Sequence, residues 1–508
     1  MIKKILPIKK IKENLLKLKN KKVVLCHGVF DLLHIGHIRH FNEAKKNGDI
    51  LIVSITPDKY VNKGPNRPVF PASIRMEAIS ELDCVDYVFA NTTPTAINPI
   101  SIFKPHFYCK GTEYKNFSND LTGEIKNEIK CLKRHGGKIV YTGGDVFSSS
   151  SIINKTDINL NNEQISFLNQ IKSNKTFNKV NKISEIFKAF ENLKILVIGE
   201  TIIDEYNFCE ALGKSGKEPV LVLRDLYKEK YLGGTAAIAK NLTSFAKKIT
   251  LISALGEKNE EVSFVNKNLG KKVKSYFLKK KNSPTIVKKR FVEDINKTKV
   301  FGVYSINDQS LYKHEESKFN NWLRKEIPKH DLIVVSDYGH GLISNNSAKN
   351  ILKKSKFLAV NTQLNASNAG YHVISKYEKA NMVIINETEL RHELRNKIDK
   401  VDILIKQISK KISSSFIVVT CGRYGSKIYD KMNKKIINCP AFANQVKDKI
   451  GTGDTMLALL SIAIYKKLDL RFCMLLSSIA AAYNIRHMAN STPLSRGLII
   501  KAVQSYLK

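Results

Sequence analysis

Short apolar runs recur along this chain, each followed by a longer stretch in which apolar residues return every three or four positions. In the first third, Val23–Leu25, Ile50–Ile55, Tyr87–Phe89, Phe107–Cys109 and Lys138–Tyr141 read as strands. Ile8–Leu18, Ile35–Asn47, Ala72–Leu82, Ala96–Phe103 and Leu121–Arg134 read as the helices between them. Strands alternating with helices predict a parallel sheet with right-handed crossovers. The pattern then lapses. Residues 156–193 are polar and asparagine-rich, with two helical stretches, Glu163–Ile171 and Ile183–Phe190, and read as a linker. From 194 the alternation resumes, with strands opening at Lys194 and at Thr250–Ser253, Leu332–Val335, Phe357–Val360, Met382–Ile385 and Phe416–Thr420. Polar alternating segments between Asn207 and Tyr231 predict a small sheet outside the main one. The fold class is therefore α/β, in two domains, 1–155 and 194–508.

Composition changes this picture little. The 508 residues include 43% hydrophobic ones, enough for two sizeable cores. The longest apolar runs, Met456–Tyr465 and Cys473–Tyr483, are too short to span a bilayer. The start, M-I-K-K-I-L-P, has no apolar core followed by a small-residue cleavage site, so no secretory signal is expected. Eight cysteines without a C-x-x-C pair fit a reducing cytoplasm rather than a zinc ribbon or disulfide framework. The net charge of +38 raises the question of nucleic acid. The lysines are spread through every segment and aromatic residues do not interleave with them, so no nucleic-acid partner and no membrane partner are expected. A positive field still attracts phosphorylated small molecules.

Two stretches carry chemistry. The first is C-H-G-V-F-D-L-L-H-I-G-H, Cys26–His37, where a strand hands over to a helix. Free N–H groups and the positive end of the helix dipole face outward there, which suits phosphate. Gly36 lets a nucleotide lie against the backbone, and His34 and His37 on one turn can donate to its phosphates. An H-x-G-H pair alone would also fit two ordinary surface histidines; the longer string in its strand-to-helix setting favours the site. A serine run, Ser148–Ser151, supplies further donors before a second helix start. The second stretch is V-K-D-K-I-G-T-G-D-T, Val446–Thr455. Gly451 and Gly453 permit a tight turn with N–H groups aimed at an anion, ahead of a helix expected over Thr455–Lys466. Asp454 stands beside that anion as a candidate general base for a substrate hydroxyl. The alternative there is a plain helix cap. K-M-N-K-K at Lys431–Lys435 resembles half of an aminoacylation signature, but its position between S-K-I-Y-D and I-I-N-C reads as a hairpin turn.

The strings G-V-F-D-L-L-H-I-G-H, N-R-P-V, S-I-R-M-E-A-I, V-D-Y-V, F-K-P-H and C-K-G-T-E-Y, in that order, resemble the cytidylyltransferase-like nucleotidyltransferases, and among them the adenylyltransferase half of the ADP-heptose synthases. The resemblance implies a Rossmann-like domain in which a sugar-phosphate oxygen attacks the α-phosphorus of a nucleoside triphosphate. It implies catalytic roles for His34 and His37. Gly28, Phe30, Asp31, Gly36, Lys63, Arg75, Lys110, Ser149, Ser150 and Ser151 would surround the nucleotide. ATP and CTP both remain open as that nucleotide. The later segments resemble the ribokinase-like (PfkB) sugar kinases. They imply a doubly wound domain with a small β lid, Asp454 as base, and Gly451, Thr452, Gly453, Thr420 and Gly422 at the nucleotide. Asp204, Gly233, Gly234 and Asp337 would meet the sugar, and Asn386 and Glu389 the Mg²⁺–phosphate network. The resemblance departs at Ala237, where the heptose kinases carry Asn, at Val360–Gln363 in place of an acidic stretch, and at His340 in place of Lys. The domain order is also reversed.

Together these imply a bifunctional enzyme using ATP and Mg²⁺, a sugar (heptose) phosphate kinase joined to a sugar-1-phosphate adenylyltransferase that serves surface polysaccharide synthesis. The alternative is a cytidylyltransferase for a sugar or polyol phosphate, with a kinase-like half that is degenerate or serves binding. Related sugar kinases pair through their lids, which implies a homodimer.

Overall fold

The computed structural model describes residues 4–18, 20–61, 68–112, 124–142, 160–173, 180–365, 367–368, 373–443 and 445–507. The chain forms two compact units, Met1–Leu160 and Asn161–Lys508.

The first unit is a five-stranded sheet: β1 (Val23–Gly28), β2 (Ile50–Ile55), β3 (Tyr87–Ala90), β4 (Phe107–Gly111) and β5 (Lys138–Thr142). The order is β3-β2-β1-β4-β5 and every pairing is parallel. Both faces of the central strands are buried. Val24, Cys26, Leu51 and Val53 pack with Phe41, Ala44 and Ile79 on one side. Val23, Leu25, Ile50 and Ile52 pack with Ile11, Ile100, Phe103 and Leu132 on the other. That explains why these strands read as unbroken apolar runs. The chain reverses its winding between β1 and β4, and in open α/β sheets ligands bind in the crevice at the carboxyl ends of the strands at such a point. Gly28 ends β1 and Lys110 stands near the end of β4.

The second unit carries a nine-stranded sheet: β6 (Lys194–Gly199), β9 (Lys248–Gly256), β10 (Val273–Lys280), β13 (Leu332–Asp337), β14 (Leu358–Thr362), β15 (Met382–Asn386), β16 (Phe416–Thr420), β17 (Ser426–Asp430) and β18 (Lys435–Cys439). The order is β10-β9-β6-β13-β14-β15-β16-β17-β18, parallel from β10 to β16 and antiparallel for the last two. Lys431 opens the turn between β17 and β18, so K-M-N-K-K is the hairpin expected. A second, four-stranded sheet combines β7 (Thr201–Lys214), β8 (Leu221–Gly233), β11 (Val287–Glu293) and β12 (Lys299–Ser305) in the order β12-β11-β7-β8. The first two strands match the small sheet expected between Asn207 and Tyr231. The last two were not legible, because β11 turns Lys288 and Arg290 inward and its apolar Phe291 the other way.

The helices Asn162–Lys172 and Val180–Phe190 lie within the second unit rather than in a free linker. Their apolar residues Phe167, Leu168, Ile171, Ile183, Phe187 and Phe190 are all buried. The helices Thr452–Tyr465 and Leu470–Asn484 are buried almost all round, which accounts for their apolar sequences. Among the described residues no helix is long and apolar enough to cross a membrane.

Candidate functional site

In the first unit, the segment after β1 makes two left-handed steps, at Phe30 (φ 46°) and Leu32 (φ 49°), before the helix Ile35–Lys45 begins. A side chain at Gly28 would meet the Phe30 ring at 2.9 Å, so glycine lets this loop fold on itself. His34 caps the helix, its Nδ1 accepting the Gly36 N–H at 3.1 Å. A neutral imidazole that accepts at Nδ1 carries its proton on Nε2. The His34 and His37 rings lie stacked, 4.0 Å between centroids, and Phe30 meets His37 edge-on at 5.4 Å. The two imidazoles therefore stand side by side at a helix N-terminus, above the crevice between β1 and β4.

The surrounding residues divide into those that hold the loop and those that face the crevice. The Asp31 carboxylate accepts the N–H groups of Val69 (2.7 Å) and Phe70 (3.1 Å), pinning the loop to the start of the next segment. Arg75, expected at the nucleotide, is turned into the protein. It is 2% exposed and donates to the carbonyls of Val29, Phe70 and Thr56 and to Asp58. It braces the loop rather than presenting its charge. Lys110 stands 3.5 Å from the Glu128 carboxylate and 3.5 Å from the His27 carbonyl. Glu128 in turn accepts from Ala96 N–H and Tyr108 O–H, each at 2.8 Å. Lys63 and Ser149–Ser151 lie outside the described residues.

In the second unit the winding reverses between β6 and β13, and the candidate residues gather at the carboxyl ends of the parallel strands. The helix Thr452–Tyr465 starts three residues before the expected Thr455, with Gly451 as its left-handed cap (φ 79°). Thr452, Gly453 and Asp454 thus form its first turn, where backbone N–H groups have no partner within the helix. A side chain at Gly451 would strike the Asn490 amide at 2.1 Å, whereas one at Gly453 would meet nothing within 4 Å. Asp454 is 6% exposed, and burial pushes its carboxyl up to about 7. Tyr338 donates its hydroxyl to Asp454 Oδ1 at 2.6 Å.

Asp204 on β7 pairs with Arg290 on β11 at 2.6 Å. A side chain at Gly233 would come within 2.3 Å of Asp204 Oδ2, and Gly234 takes a left-handed φ of 56°. Both glycines are therefore required by the way this pocket closes. Asp337 was expected at the sugar, but its carboxylate is taken up inside the protein. It accepts from Gly339 N–H (3.1 Å), Lys376 (2.8 Å) and Tyr377 O–H (2.8 Å). Its neighbour Tyr338 is the residue that reaches the candidate base. Asn386 and Glu389 form a capping box at the helix Glu387–Leu394. Glu389 also accepts the Leu364 N–H at 3.1 Å, and burial raises its carboxyl to about 7. Thr420 lies beside Asn386 in register, and Gly422 (φ 58°) has open space around it.

The three departures have structural partners. Ala237 is buried in the helix Gly234–Leu242. Asn361 donates to the Ile384 carbonyl at 2.8 Å. His340 Nδ1 meets Asp308 at 2.6 Å. Among the described residues no group of three or more His, Cys, Asp or Glu side chains is arranged to hold a metal ion. Both oxygens of Glu389 and the side-chain oxygen of Asn386 already accept backbone N–H groups, so this pair would meet a magnesium ion through the waters that such an ion keeps.

Sequence reasoning passed over Tyr338, Lys288, Arg290 and Glu200. Glu200 accepts the N–H groups of Tyr338 (3.0 Å) and His340 (3.2 Å), shaping the loop after β13. The signal for Lys288 and Arg290 was the alternation in V-K-K-R-F-V, with the charges on the inner face.

Residues 192–496 match the pfkB family carbohydrate kinases, and residues 25–181 match the Cytidylyltransferase-like family. Among curated proteins, "Bifunctional protein HldE" of Campylobacter jejuni subsp. doylei is 26% identical over 307 residues, 58% of this chain and 62% of that protein. The protein of the same name from Helicobacter pylori strain P12 is 28% identical over 311 residues, 59% of this chain and 64% of that one. The chain thus spans less than two thirds of the length of these relatives. Among solved structures, phosphofructokinase-2 from Escherichia coli in complex with potassium is 13% identical, with a TM-score of 0.51 over 62% of this chain and 100% of that one. A ribokinase-type protein from Agrobacterium tumefaciens gives 0.50 at 13% identity over 62% and 99%. Likeness at that level shows the fold of the second unit.

Proposed function

The chain belongs to the pfkB family of carbohydrate kinases, and on that premise we propose a bifunctional enzyme that makes a nucleotide-activated sugar. The second unit phosphorylates a sugar phosphate of the heptose class with ATP. The first unit joins the resulting type of sugar 1-phosphate to a nucleotide, as an adenylyltransferase, for surface polysaccharide synthesis. The observation that carries the reading is Asp454. It is a buried carboxylate in the first turn of a helix, fixed by Tyr338 on one oxygen and close enough to Asp204 to feel its charge.

In the kinase reaction the acceptor hydroxyl gives its proton to Asp454 and its oxygen bonds to the γ-phosphorus, while the bond to the β-phosphate oxygen breaks and ADP leaves. The N–H groups of Thr452, Gly453 and Asp454 receive the phosphoryl oxygens. Asp204, in the pocket closed by Gly233 and Gly234, orients the sugar. Thr420 and Gly422 border the nucleotide. Asn386 and Glu389 would hold Mg²⁺, which when bound offsets phosphate charge. In the transferase reaction a sugar-phosphate oxygen bonds to the α-phosphorus and pyrophosphate leaves. His34 and His37 donate to the triphosphate, and Lys110 adds a cation. No covalent enzyme intermediate is needed; positioning and charge stabilisation carry the step.

The test is a panel of hexose and heptose phosphates with ATP or CTP, read as ADP formed and pyrophosphate released. The reading expects ADP from a sugar phosphate and pyrophosphate from a sugar 1-phosphate with ATP. Pyrophosphate with CTP alone, and no sugar-dependent ADP, would favour the cytidylyltransferase alternative.

The lid sheet also exposes Leu221, Leu226, Val303 and Tyr304, each more than 40% accessible. Val303 and Tyr304 are consecutive in β12 and point to opposite sides, so the lid is apolar on both faces, and exposure of this kind suits a second copy of this chain. Light scattering should give twice 57.4 kDa; a single-chain mass at micromolar concentration would refute the dimer.

A further inference from the structure

The kinase pocket contains a buried cation to which the mechanism above gives no role. Lys288 lies on β11, opposite Asp204 of β7 and Tyr304 of β12 in the strand register. The residue is 8% exposed. Its ammonium stands 5.7 Å from the ring centres of both Tyr304 and Tyr338. Among the described residues it makes no hydrogen bond or ion pair. Arg290, two residues on, differs: it is matched directly to Asp204. A buried ammonium is costly unless matched by negative charge and hydrogen bonds. Aromatic faces offset part of this, and the carboxylates of Asp204, Asp454 and Glu200 act on it from a distance. Burial still pulls its proton affinity down. Lys288 is therefore a donor held in reserve over Tyr338, the residue that fixes the candidate base.

We propose that Lys288 is a catalytic residue of the kinase centre, its ammonium touching the attacking oxygen of the acceptor while sharing the negative charge of Asp454. The inference rests on the kinase reading given above. As the hydroxyl proton passes to Asp454 and the oxygen–phosphorus bond forms, negative charge gathers on the oxygens between base and phosphate. A preset cation there stabilises that state more than the ground state. Asp454 is faced by Tyr338 from the loop after β13, by Asp204 from β7, by Lys288 from β11 and at longer range by Glu389. Among the described residues Lys288 is the one cation acting on it, so its removal also makes the base harder to ionise.

The test uses the full chain with Lys288→Met and Lys288→Arg. Trp322, the sole tryptophan, reports folding of the second unit by fluorescence, and pyrophosphate release reports the first unit. Lys288→Met should lower the kinase kcat by about 100-fold or more. It should also move the acidic limb of the kcat/KM profile to higher pH, while Lys288→Arg retains part of the rate. A folded Lys288→Met protein with kcat within threefold of the parent, or with an unmoved acidic limb, overturns the assignment. An unfolded Met variant passes the decision to Lys288→Arg, which must then show reduced kcat with unchanged KM for ATP. Wild-type protein without sugar-dependent turnover defeats the kinase reading and this residue with it, whereas turnover that survives the loss of Lys288 defeats this residue alone.

Discussion

Asp454→Asn should reduce sugar-dependent ADP formation by about 10³-fold or more, and leave pyrophosphate release by the first unit within twofold. Asparagine fills nearly the same volume and still accepts the Tyr338 hydroxyl through its amide oxygen, so the pocket keeps its shape. What it loses is the oxygen that takes a proton. As the proposed base, Asp454 would work only when ionised, and burial holds its carboxyl near 7. The kinase kcat/KM should therefore rise with pH through about 7 and level off above it. The same burial makes a stability prediction of definite sign. The folded state holds this proton more tightly than the unfolded chain, whose aspartate titrates near 3.8. The stability contributed is complete below 3.8 and is lost as pH rises toward 7. Asp454→Asn removes that loss, so the variant should melt at a higher temperature than the parent at pH 8 and lose this advantage at pH 5. An inactive variant that melts lower than the parent at pH 8 would point to structural damage instead of loss of a base.

His37→Ala should lower pyrophosphate release by about 10²-fold or more, with kinase turnover unchanged. His37 stacks on His34 and abuts Phe30, and its backbone N–H is already bonded to the His34 carbonyl at 2.8 Å. Its removal leaves the helix cap in place. His34 is less clean, because its Nδ1 is the cap itself; replacement by alanine costs about 0.5–2 kcal/mol of helix stability besides any catalytic effect. His34→Asn retains a capping oxygen and loses the imidazole, so its transferase loss should match that of His37→Ala at a nearly unchanged melting temperature. If both variants release pyrophosphate at parental rates, the histidines are surface residues and the nucleotide lies elsewhere.

What could be read from the chain beforehand follows from where its chemistry is local. Runs such as Ile50–Ile55 are apolar because both sheet faces are covered, and they marked the parallel strands directly. His34, Gly36 and His37 lie within one turn, so their juxtaposition was a matter of helix geometry. Gly451, Gly453 and Asp454 are local in the same way, although the helix begins earlier than expected because Gly451 itself supplies the cap. The side-chain directions of Arg75 and Asp337 were not legible for a different reason. Both stand beside motif residues, but the direction of each side chain is set by partners far off in sequence: the Val29 and Thr56 carbonyls for Arg75, Lys376 and Tyr377 for Asp337. Lys288 and Arg290 reversed the usual strand pattern by pointing charge inward, a pattern that makes sense only once Asp204 and Asp454 are known to lie opposite. The helices of 156–193 looked like linker because their buried residues face helices from the far end of the chain.

The central claim is that two separate glycine-shaped turns each hold the phosphates of a nucleotide. Equilibrium titration of the full chain with non-hydrolysable ATP and CTP analogues tests it most directly, alongside Gly36→Asp and Gly453→Asp, each of which sets a carboxylate where phosphate should lie. The account predicts two nucleotide equivalents per chain, one lost in each variant and both lost when the two are combined. A single equivalent in the parent protein, or two that persist in both variants, would contradict it.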